Sequence, residues 1–150
     1  MKKKILIYSL YSLLLDQVIK YIVYKSQINV KLIPNFLSLT YTSNNGIAFS
    51  LLSGSRLIII LSSLILVVVL FYLLKNDYLS KGRDNNLLDI AYGVLFGGIL
   101  GNLIDRVIRG YVIDYVSIKI FNYYFPIFNL ADVFITIGVV LLLCVKFEDD

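Results

Sequence analysis

Long apolar stretches, separated by more polar segments, dominate the amino-acid pattern of this chain. They occupy residues 5–24, 57–74, 87–106 and 126–146. An α-helix rises 1.5 Å per residue, so about twenty residues extend roughly 30 Å, the thickness of the hydrocarbon layer of a bilayer. The pattern predicts an all-α membrane protein, a four-helix transmembrane bundle that forms a single domain over residues 1–150.

Two connections between the apolar stretches differ from ordinary loops. In the first, residues 25–56, apolar side chains alternate with Ser and Thr between Leu37 and Thr42, which is the period of a half-exposed strand. The second, residues 107–125, is rich in Tyr and Phe and is strand-like in places. We expect a small extracytoplasmic β-rich element that lies on the membrane surface.

Basic residues ahead of the first apolar stretch indicate its orientation. Lys2, Lys3 and Lys4 precede it, and no small-residue cleavage site follows, so we predict an uncleaved first transmembrane helix. The other Lys and Arg residues give little bias, and the first helix often decides the topology. We therefore expect both termini in the cytoplasm.

The composition excludes several kinds of active site. The chain has no His and a single Cys, and 59% of its residues are hydrophobic. A Ser-His or Cys-His nucleophile, an HExxH zinc site and a thiolate metal cluster are therefore excluded. The basic residues are scattered, which argues against nucleic-acid binding. We expect no metal and no cofactor.

Asp16 and Lys20 introduce charge into the first predicted helix. They lie four residues apart and so share one helix face. One interpretation is a neutralised ion pair that locks helix packing. The other is that the pair supports a polar site in the outer leaflet, since charges inside a membrane usually mark function.

Further polar residues are concentrated where the third and fourth predicted helices meet. Pro126 favours the first turn of a helix, so we predict that the fourth helix begins there. Helices 1 and 3 would run outward and helix 4 inward, so these polar residues would converge at one depth on the outer side. They are Asn102, Asp105, Arg106, Asp114, Asn129 and Asp132.

Asp114 and Asp132 are the best candidates for a catalytic pair. Two neighbouring carboxyls in a medium of low dielectric cannot easily both ionise, so one holds a proton while the other stays charged. Such a pair can activate water and protonate a leaving amine. Asp105 adjoins Arg106, which favours a structural ion pair. Arg106 could also anchor a peptide carbonyl or hold the loop, and Asn129 could orient the carboxyls.

Two other classes of function compete with a hydrolase. A small transporter or channel also places Asp and Lys inside the membrane, but its charges would thread the bilayer and not share one depth. A structural membrane protein would use its charges only to hold helices together. That class leaves Asp114, on a loop, without a role.

Five motifs follow one another in order along the whole chain. They are Asp16-Gln-Val-Ile-Lys20, Asn44-Asn-Gly-Ile-Ala-Phe49, Gly101-Asn-Leu-Ile-Asp-Arg106, Val112-Ile-Asp114-Tyr115 and Phe128-Asn-Leu-Ala-Asp132. Together they resemble the motifs of the signal peptidase II family, the lipoprotein signal peptidases. Tyr115 stands where that family usually has Phe, a small departure that leaves the candidate catalytic residues unaffected.

The resemblance implies a bacterial plasma-membrane aspartic peptidase with Asp114 and Asp132 as its catalytic dyad. It implies a cut before the diacylglyceryl-bearing cysteine of a prolipoprotein, with that precursor and membrane lipid as partners. We expect a monomer, with Phe49 in an outer connection that covers the scissile bond. The supporting site residues that the resemblance implies are Asp16, Lys20, Asn44, Asn102, Arg106 and Asn129.

Overall fold

The structure, a computed structural model, describes residues 3–46, 56–76 and 86–148. Phe49, in the expected cover over the scissile bond, and most of the polar connector between the second and third helices lie outside these ranges. The described residues form four helices and a small antiparallel sheet. The predicted combination of apolar helices with a β-rich element is confirmed.

The helices are α1 (Lys3–Ser26), α2 (Arg56–Lys75), α3 (Asn86–Ile108) and α4 (Leu130–Glu148). By length and composition α1, α2 and α3 can each cross a membrane, whereas the apolar part of α4, Leu130–Val145, is shorter. The protein is a multi-pass membrane protein.

Helix α3 is central because its glycines allow close contact on two sides. A Cβ added to Gly97 would lie 1.8 Å from Ser12 Oγ of α1, and one added to Gly98 would lie 2.6 Å from the Ala131 carbonyl oxygen of α4. Small residues at such contacts let helix backbones approach each other in membranes. The described helices pack around α3, and the four-helix transmembrane bundle remains a prediction.

The helix assembly has one end rich in buried apolar residues, at which α1 and α3 begin, and an opposite end, the polar end, which holds Asp16, Lys20, Asn102 and Asp105. Near the start of α1, Lys4 Nζ donates to Asn86 Oδ1 at 3.2 Å, which shows that α1 and α3 run in the same direction. A buried cluster joins all four helices on this side of the molecule. Its members are Ile5, Leu70, Leu88, Tyr92, Leu95, Phe96, Ile99 and Val145.

The predicted start of the fourth helix at Pro126 is wrong. Helix α4 begins at Leu130, and Phe128 pairs with Val116 of the sheet in an isolated bridge. Asn129 occupies the position before the helix and caps it, so the capping residue and not the proline sets the start. Asp132 consequently lies in the first turn of the helix.

The sheet has the strand order β1-β2-β3-β4. Its strands are β1 (Asn29–Ile33), β2 (Leu37–Asn44), β3 (Val112–Ile120) and β4 (Tyr123–Tyr124), and every pair is antiparallel. One face packs on the end of α1, where Val23 is buried with Ile113 and Tyr115. This contact brings the ends of β2 and β3 to the polar end of the helices.

Candidate active site

Asp114 lies on β3 beside the end of β2. Its side chain is 2% exposed. Asn44 Nδ2 donates to Asp114 Oδ2 at 2.8 Å, and Asn129 Nδ2 donates to Asp114 Oδ1 at 2.6 Å. Burial raises the pKa of Asp114 to about 6, the hydrogen bond from Asn44 opposes that rise, and the neighbouring charge of Asp132 adds to it.

Asp132 is positioned by the N-terminus of α4. The Asn129 backbone N–H donates to Asp132 Oδ2 at 3.2 Å, and the Asp132 backbone N–H donates to Asn129 Oδ1 at 3.0 Å. This reciprocal pair is a capping box, in which each side chain satisfies a backbone donor of the first turn. The other carboxyl oxygen, Asp132 Oδ1, accepts from Asn102 Nδ2 at 2.8 Å.

Asn129 therefore joins the two carboxyls. Its side-chain amide donates to Asp114 while its backbone amide donates to Asp132. The same side-chain nitrogen lies 3.2 Å from Asn102 Oδ1, and so the two asparagines also contact each other. The structure thus brings together the two predicted dyad residues and the predicted residues Asn44, Asn102 and Asn129.

A second group of charges lies directly behind the asparagines. Lys20 is fully buried, and its Nζ contacts Asp16 Oδ2 at 2.9 Å, Asp105 Oδ2 at 3.2 Å and Asn102 Oδ1 at 2.7 Å. These three partners match the three donors of an ammonium group. Asp16 Oδ1 accepts from the Ala131 backbone N–H at 2.9 Å, so the group connects α1, α3 and α4.

Asp105 has partners that the sequence did not indicate. Besides Lys20 it forms an ion pair with Arg109, and its Oδ2 accepts from the Ile113 backbone N–H at 3.2 Å. The sequence had indicated Arg106 as its partner. Residues four apart share a helix face, and this spacing favours Arg109. The structural role expected for Asp105 agrees with these contacts.

Arg106 reaches toward the loop that follows β2. Its Nη2 donates to the Gly46 carbonyl oxygen at 3.3 Å, and its Nη1 lies 3.5 Å from the Asn102 carbonyl oxygen. Gly46 is also held by its own N–H, which donates to Asn44 Oδ1 at 2.9 Å. These contacts agree with the loop-holding role considered for Arg106, and the role in anchoring a peptide carbonyl stays a prediction.

The two carboxyls line one open cavity of about 410 Å³. Polar groups of Asn102 and Arg106 form part of its wall, and apolar side chains of α2 and α4, including Leu66 and Ile135, form another part. A neighbouring cavity of about 560 Å³ shares Asn44 and Asp114 and extends along β4. The carboxyls thus lie between an apolar groove among the helices and a second groove beside the sheet.

Sequence reasoning missed three contributors to this region. Gln17 Nε2 donates to the Gly101 carbonyl oxygen at 3.1 Å, Arg109 pairs with Asp105, and Ser63 lines the apolar groove. For Ser63 the usable sequence signal is the pair of hydroxyls, Ser62 and Ser63, in the otherwise apolar helix α2. Within residues 3–46, 56–76 and 86–148, no group of three His, Cys, Asp or Glu is placed to hold a metal ion.

Comparisons with known proteins agree with these observations. The family described as Signal peptidase (SPase) II matches residues 8–147. The lipoprotein signal peptidase of Staphylococcus aureus strain bovine RF122 / ET3-1 is 38% identical over 144 residues, which cover 94% of this chain and 86% of that protein. The protein of the same name from strain MRSA252 is also 38% identical, with the same coverage.

Solved structures give the same result. A structure described as a bacterial membrane enzyme, obtained by the in meso method, superimposes with a TM-score of 0.82 at 35% identity, covering 97% of this chain and 88% of that one. A second with the same description gives a TM-score of 0.80 at 35% identity and covers 94% of its chain. The resemblance seen in the five motifs is thereby confirmed, and this chain belongs to the signal peptidase II family.

Proposed function

We propose that the protein is a membrane aspartic endopeptidase that removes the signal peptide from diacylglyceryl-modified prolipoproteins, with Asp114 and Asp132 as its catalytic carboxyls. Membership of the family supports the reaction. One observation supports the assignment of the residues: Asn129 donates hydrogen bonds to both carboxyls, and both line the same cavity.

In this proposal the two carboxyls divide the acid and base work. Asp114, whose pKa burial raises to about 6, carries the proton and donates a hydrogen bond to the scissile carbonyl. Asp132, at the N-terminus of α4, is the carboxylate that takes a proton from the attacking water, because a helix N-terminus favours negative charge. The water oxygen adds to the carbonyl carbon to give a tetrahedral intermediate. Asp132 then returns the proton to the leaving nitrogen as the C–N bond breaks, which frees the amine of the lipid-bearing cysteine and the carboxyl end of the signal peptide.

The other predicted residues are positioning residues. Asn44 and Asn129 hold Asp114, Asn102 and the Asn129 backbone hold Asp132, and Arg106 holds the Gly46 loop. The pair of Asp16 and Lys20 fixes α1 against α3 and α4 behind them. In this proposal the pair both locks packing and supports the site, which combines the two interpretations of its charges.

The apolar groove is the proposed place for the signal-peptide end and the lipid. Its walls include apolar side chains from α2 and α4, so it opens among the spanning helices. We propose that α1 and α3 run from the cytoplasm outward, which puts the dyad near the outer face of the bacterial plasma membrane and both termini in the cytoplasm. The enzyme acts as a monomer and a single domain.

The test is cleavage of one precursor in two forms. Purified protein in detergent should cut the diacylglyceryl-modified precursor before its lipid-bearing cysteine, and the unlipidated form should be a very poor substrate. The lipid tails keep the scissile bond in the bilayer or micelle beside the groove, and their packing against its apolar walls adds van der Waals contacts that the unlipidated form lacks. Asp132→Asn is the matched inactive control. Equal rates with both precursors would remove lipid recognition from the proposal, and full activity of Asp132→Asn would remove Asp132 from the dyad.

A further inference from the structure

The end of the sheet farthest from the dyad is formed by two neighbouring turns. One joins β1 to β2 and the other joins β3 to β4, and the Lys119 N–H donates to the Phe36 carbonyl oxygen at 2.8 Å between them. We call residues 33–37 and 119–124 the outer tip. At about 3.3 Å per strand residue, the length of β2 places the outer tip roughly 20–25 Å from Asn44.

The outer tip exposes several aromatic side chains, and one of them has an unfavourable backbone conformation. Phe121 is 92% exposed, and its φ of 54° lies in the left-handed region, which is unfavourable for a bulky residue. Phe36, Tyr123 and Tyr124 are also exposed beside it. A strained, fully exposed phenylalanine at a turn is most simply explained by a partner that covers its ring.

A small cationic pocket lies next to these aromatic rings. In the register of the sheet Lys31 is opposite Ser38, and Ser38 is opposite Ser117, so one row of polar side chains crosses three strands. Lys119 Nζ lies 4.9 Å from the centre of the Tyr124 ring. All five residues line a cavity of about 100 Å³. Sites for drug-sized ligands span roughly 300–1,000 Å³, so this pocket suits a group as small as a phosphate.

No acidic side chain competes for these lysines in the sequence around them. The chain has no Asp or Glu between Asp16 and Asp77, and none between Asp114 and Asp132. The only carboxyl within a strand of the sheet, Asp114, is buried at the opposite end. The outer tip is therefore purely cationic, and it is complementary to an anionic partner.

We propose that the outer tip docks on the bilayer leaflet on the side of the dyad, with Phe121 in the lipid interface and the phosphate of an anionic lipid between Lys31 and Lys119. Aromatic rings together with lysines are the usual composition of protein segments at a membrane surface. Ser38 and Ser117 supply hydroxyl donors to the phosphate oxygens. The position of the sheet favours a membrane as the partner of the outer tip. Strands β1 and β3 follow α1 and α3 in the chain, and both helices are long and apolar enough to span a membrane.

The absence of tryptophan from the chain makes a direct test possible. Phe121→Trp introduces a single indole at the outer tip, and the protein is reconstituted into nanodiscs of phosphatidylglycerol and phosphatidylcholine. Bromine on the acyl chains of one lipid or the other quenches an indole that lies beside that lipid. We expect quenching by both, with a preference for brominated phosphatidylglycerol of about fivefold for each lysine in the pocket.

Charge variants distinguish lipid binding in the pocket from a general electrostatic attraction of anionic lipid to the protein. In the Phe121→Trp background, Lys31→Gln and Lys119→Gln should each reduce the preference about fivefold, and the double variant should abolish it. Lys25→Gln removes the same charge from the last turn of α1, outside the pocket, and should have a smaller effect. The measurement needs no substrate, so its failure would not touch the proposed peptidase activity.

Several results would overturn the proposal. An indole that neither brominated lipid quenches would show that the outer tip faces water. Equal quenching by the two lipids, or an equal effect of Lys25→Gln, would remove the anion site. If chloride abolished the preference as readily as inorganic phosphate at the same ionic strength, the lysines would attract anions in general and the phosphate pocket would be removed. Emission that changes with protein concentration, or on adding precursor, would place a second copy or the substrate on the outer tip.

Discussion

Two pairs of aspartates meet at the polar end of the helices, and they are held in different ways. Asp16 and Asp105 contact the charged groups of Lys20 and Arg109. Asp114 and Asp132 accept their hydrogen bonds from the amides of asparagines, which carry no charge. We call the first pair, with its two cations, the charged cluster and the second pair the dyad.

The difference separates a structural role from a chemical one. Removing the charge of a carboxyl that is paired with a buried cation would leave that cation unpaired, at a cost of several kcal/mol. An amide donor also favours the ionised form, but it leaves no net charge behind when the carboxyl takes a proton. The loss of one carboxyl charge should therefore disturb the charged cluster more than the dyad, which agrees with the roles proposed for the two pairs.

The largest expected effect separates chemistry from folding. Asp114→Asn keeps the size of the side chain but cannot hold and release the proton, so we expect turnover to fall by about 10²–10⁴-fold, the usual contribution of general acid–base catalysis. Accumulation in the membrane should be close to that of the wild type. Cleavage of lipidated precursor and the amount of purified protein are measured together. Turnover near that of the wild type would show that Asp114 is not catalytic.

In the charged cluster the corresponding change should act on stability. Asp105→Asn leaves Lys20 and Arg109 with excess positive charge beside a buried site, which costs about 3–5 kcal/mol in the free energy of unfolding. The double variant Asp105→Asn with Arg109→Gln restores the charge balance and should recover part of that loss. Thermal unfolding in detergent compares the three proteins. If the double variant were the least stable, charge balance would not be the cause.

The dependence of kcat on pH should report on the proton held by the dyad. The pKa of Asp114 is raised from 3.8 to about 6, chiefly by burial, so the proton that it holds is lost as the pH rises through that value. We expect kcat to fall on the alkaline side, with an apparent pKa that belongs to the dyad as a whole. Protonated Asp114 also contributes to the stability of the folded protein. That contribution is fully present below pH 3.8 and is lost as the pH rises through about 6.

Asn44→Ala tests the origin of that alkaline limb. The Asn44 amide donates to Asp114 and favours its ionised form. Removing it should move the limb to higher pH by up to about one unit, the equivalent of roughly 1.4 kcal/mol. The measurement is kcat against pH for both proteins, and an unmoved limb would assign the titration to another group.

The smallest expected effect concerns Tyr115, where the family usually has Phe. Its hydroxyl accepts from the Leu130 backbone N–H at 3.2 Å, next to the capping box that holds Asp132. Tyr115→Phe should lower the free energy of unfolding by about 0.5–1.5 kcal/mol, the net contribution of one hydrogen bond. Thermal unfolding measures the change. A larger loss of turnover than of stability would show that this contact also positions Asp132.

The sequence predicted the parts of the fold that depend on local periodicity. Three apolar runs became α1, α2 and α3 within two residues of the predicted ends, because about twenty apolar residues leave few alternatives to a spanning helix. Alternation of apolar and polar residues between Leu37 and Thr42 predicted β2, because side chains in a strand point alternately to its two faces. Asp114 and Asp132 stood out because an acidic residue near a membrane span needs a partner or a function.

What the sequence failed to predict depended on competing local signals or on distant contacts. Pro126 and Asn129 both mark helix starts, and only the bridge between Phe128 and Val116 shows why the chain stays extended until Asn129. The pairing of Lys20 with Asp105 joins residues on two different helices, so no spacing rule contains it. The apolar groove likewise draws on α2, whose contribution appears only once it packs beside α3 and α4.

Asn102 gives the hydrogen bonds at the site a fixed direction. Lysine can only donate, so Lys20 requires the oxygen of the Asn102 amide to face it, and the nitrogen must then face Asp132. The buried ammonium group of Lys20 thus determines, through the Asn102 amide, that Asp132 faces a hydrogen-bond donor and not an acceptor. In the proposed reaction Lys20 therefore acts by fixing the orientation of the Asn102 side chain that holds Asp132.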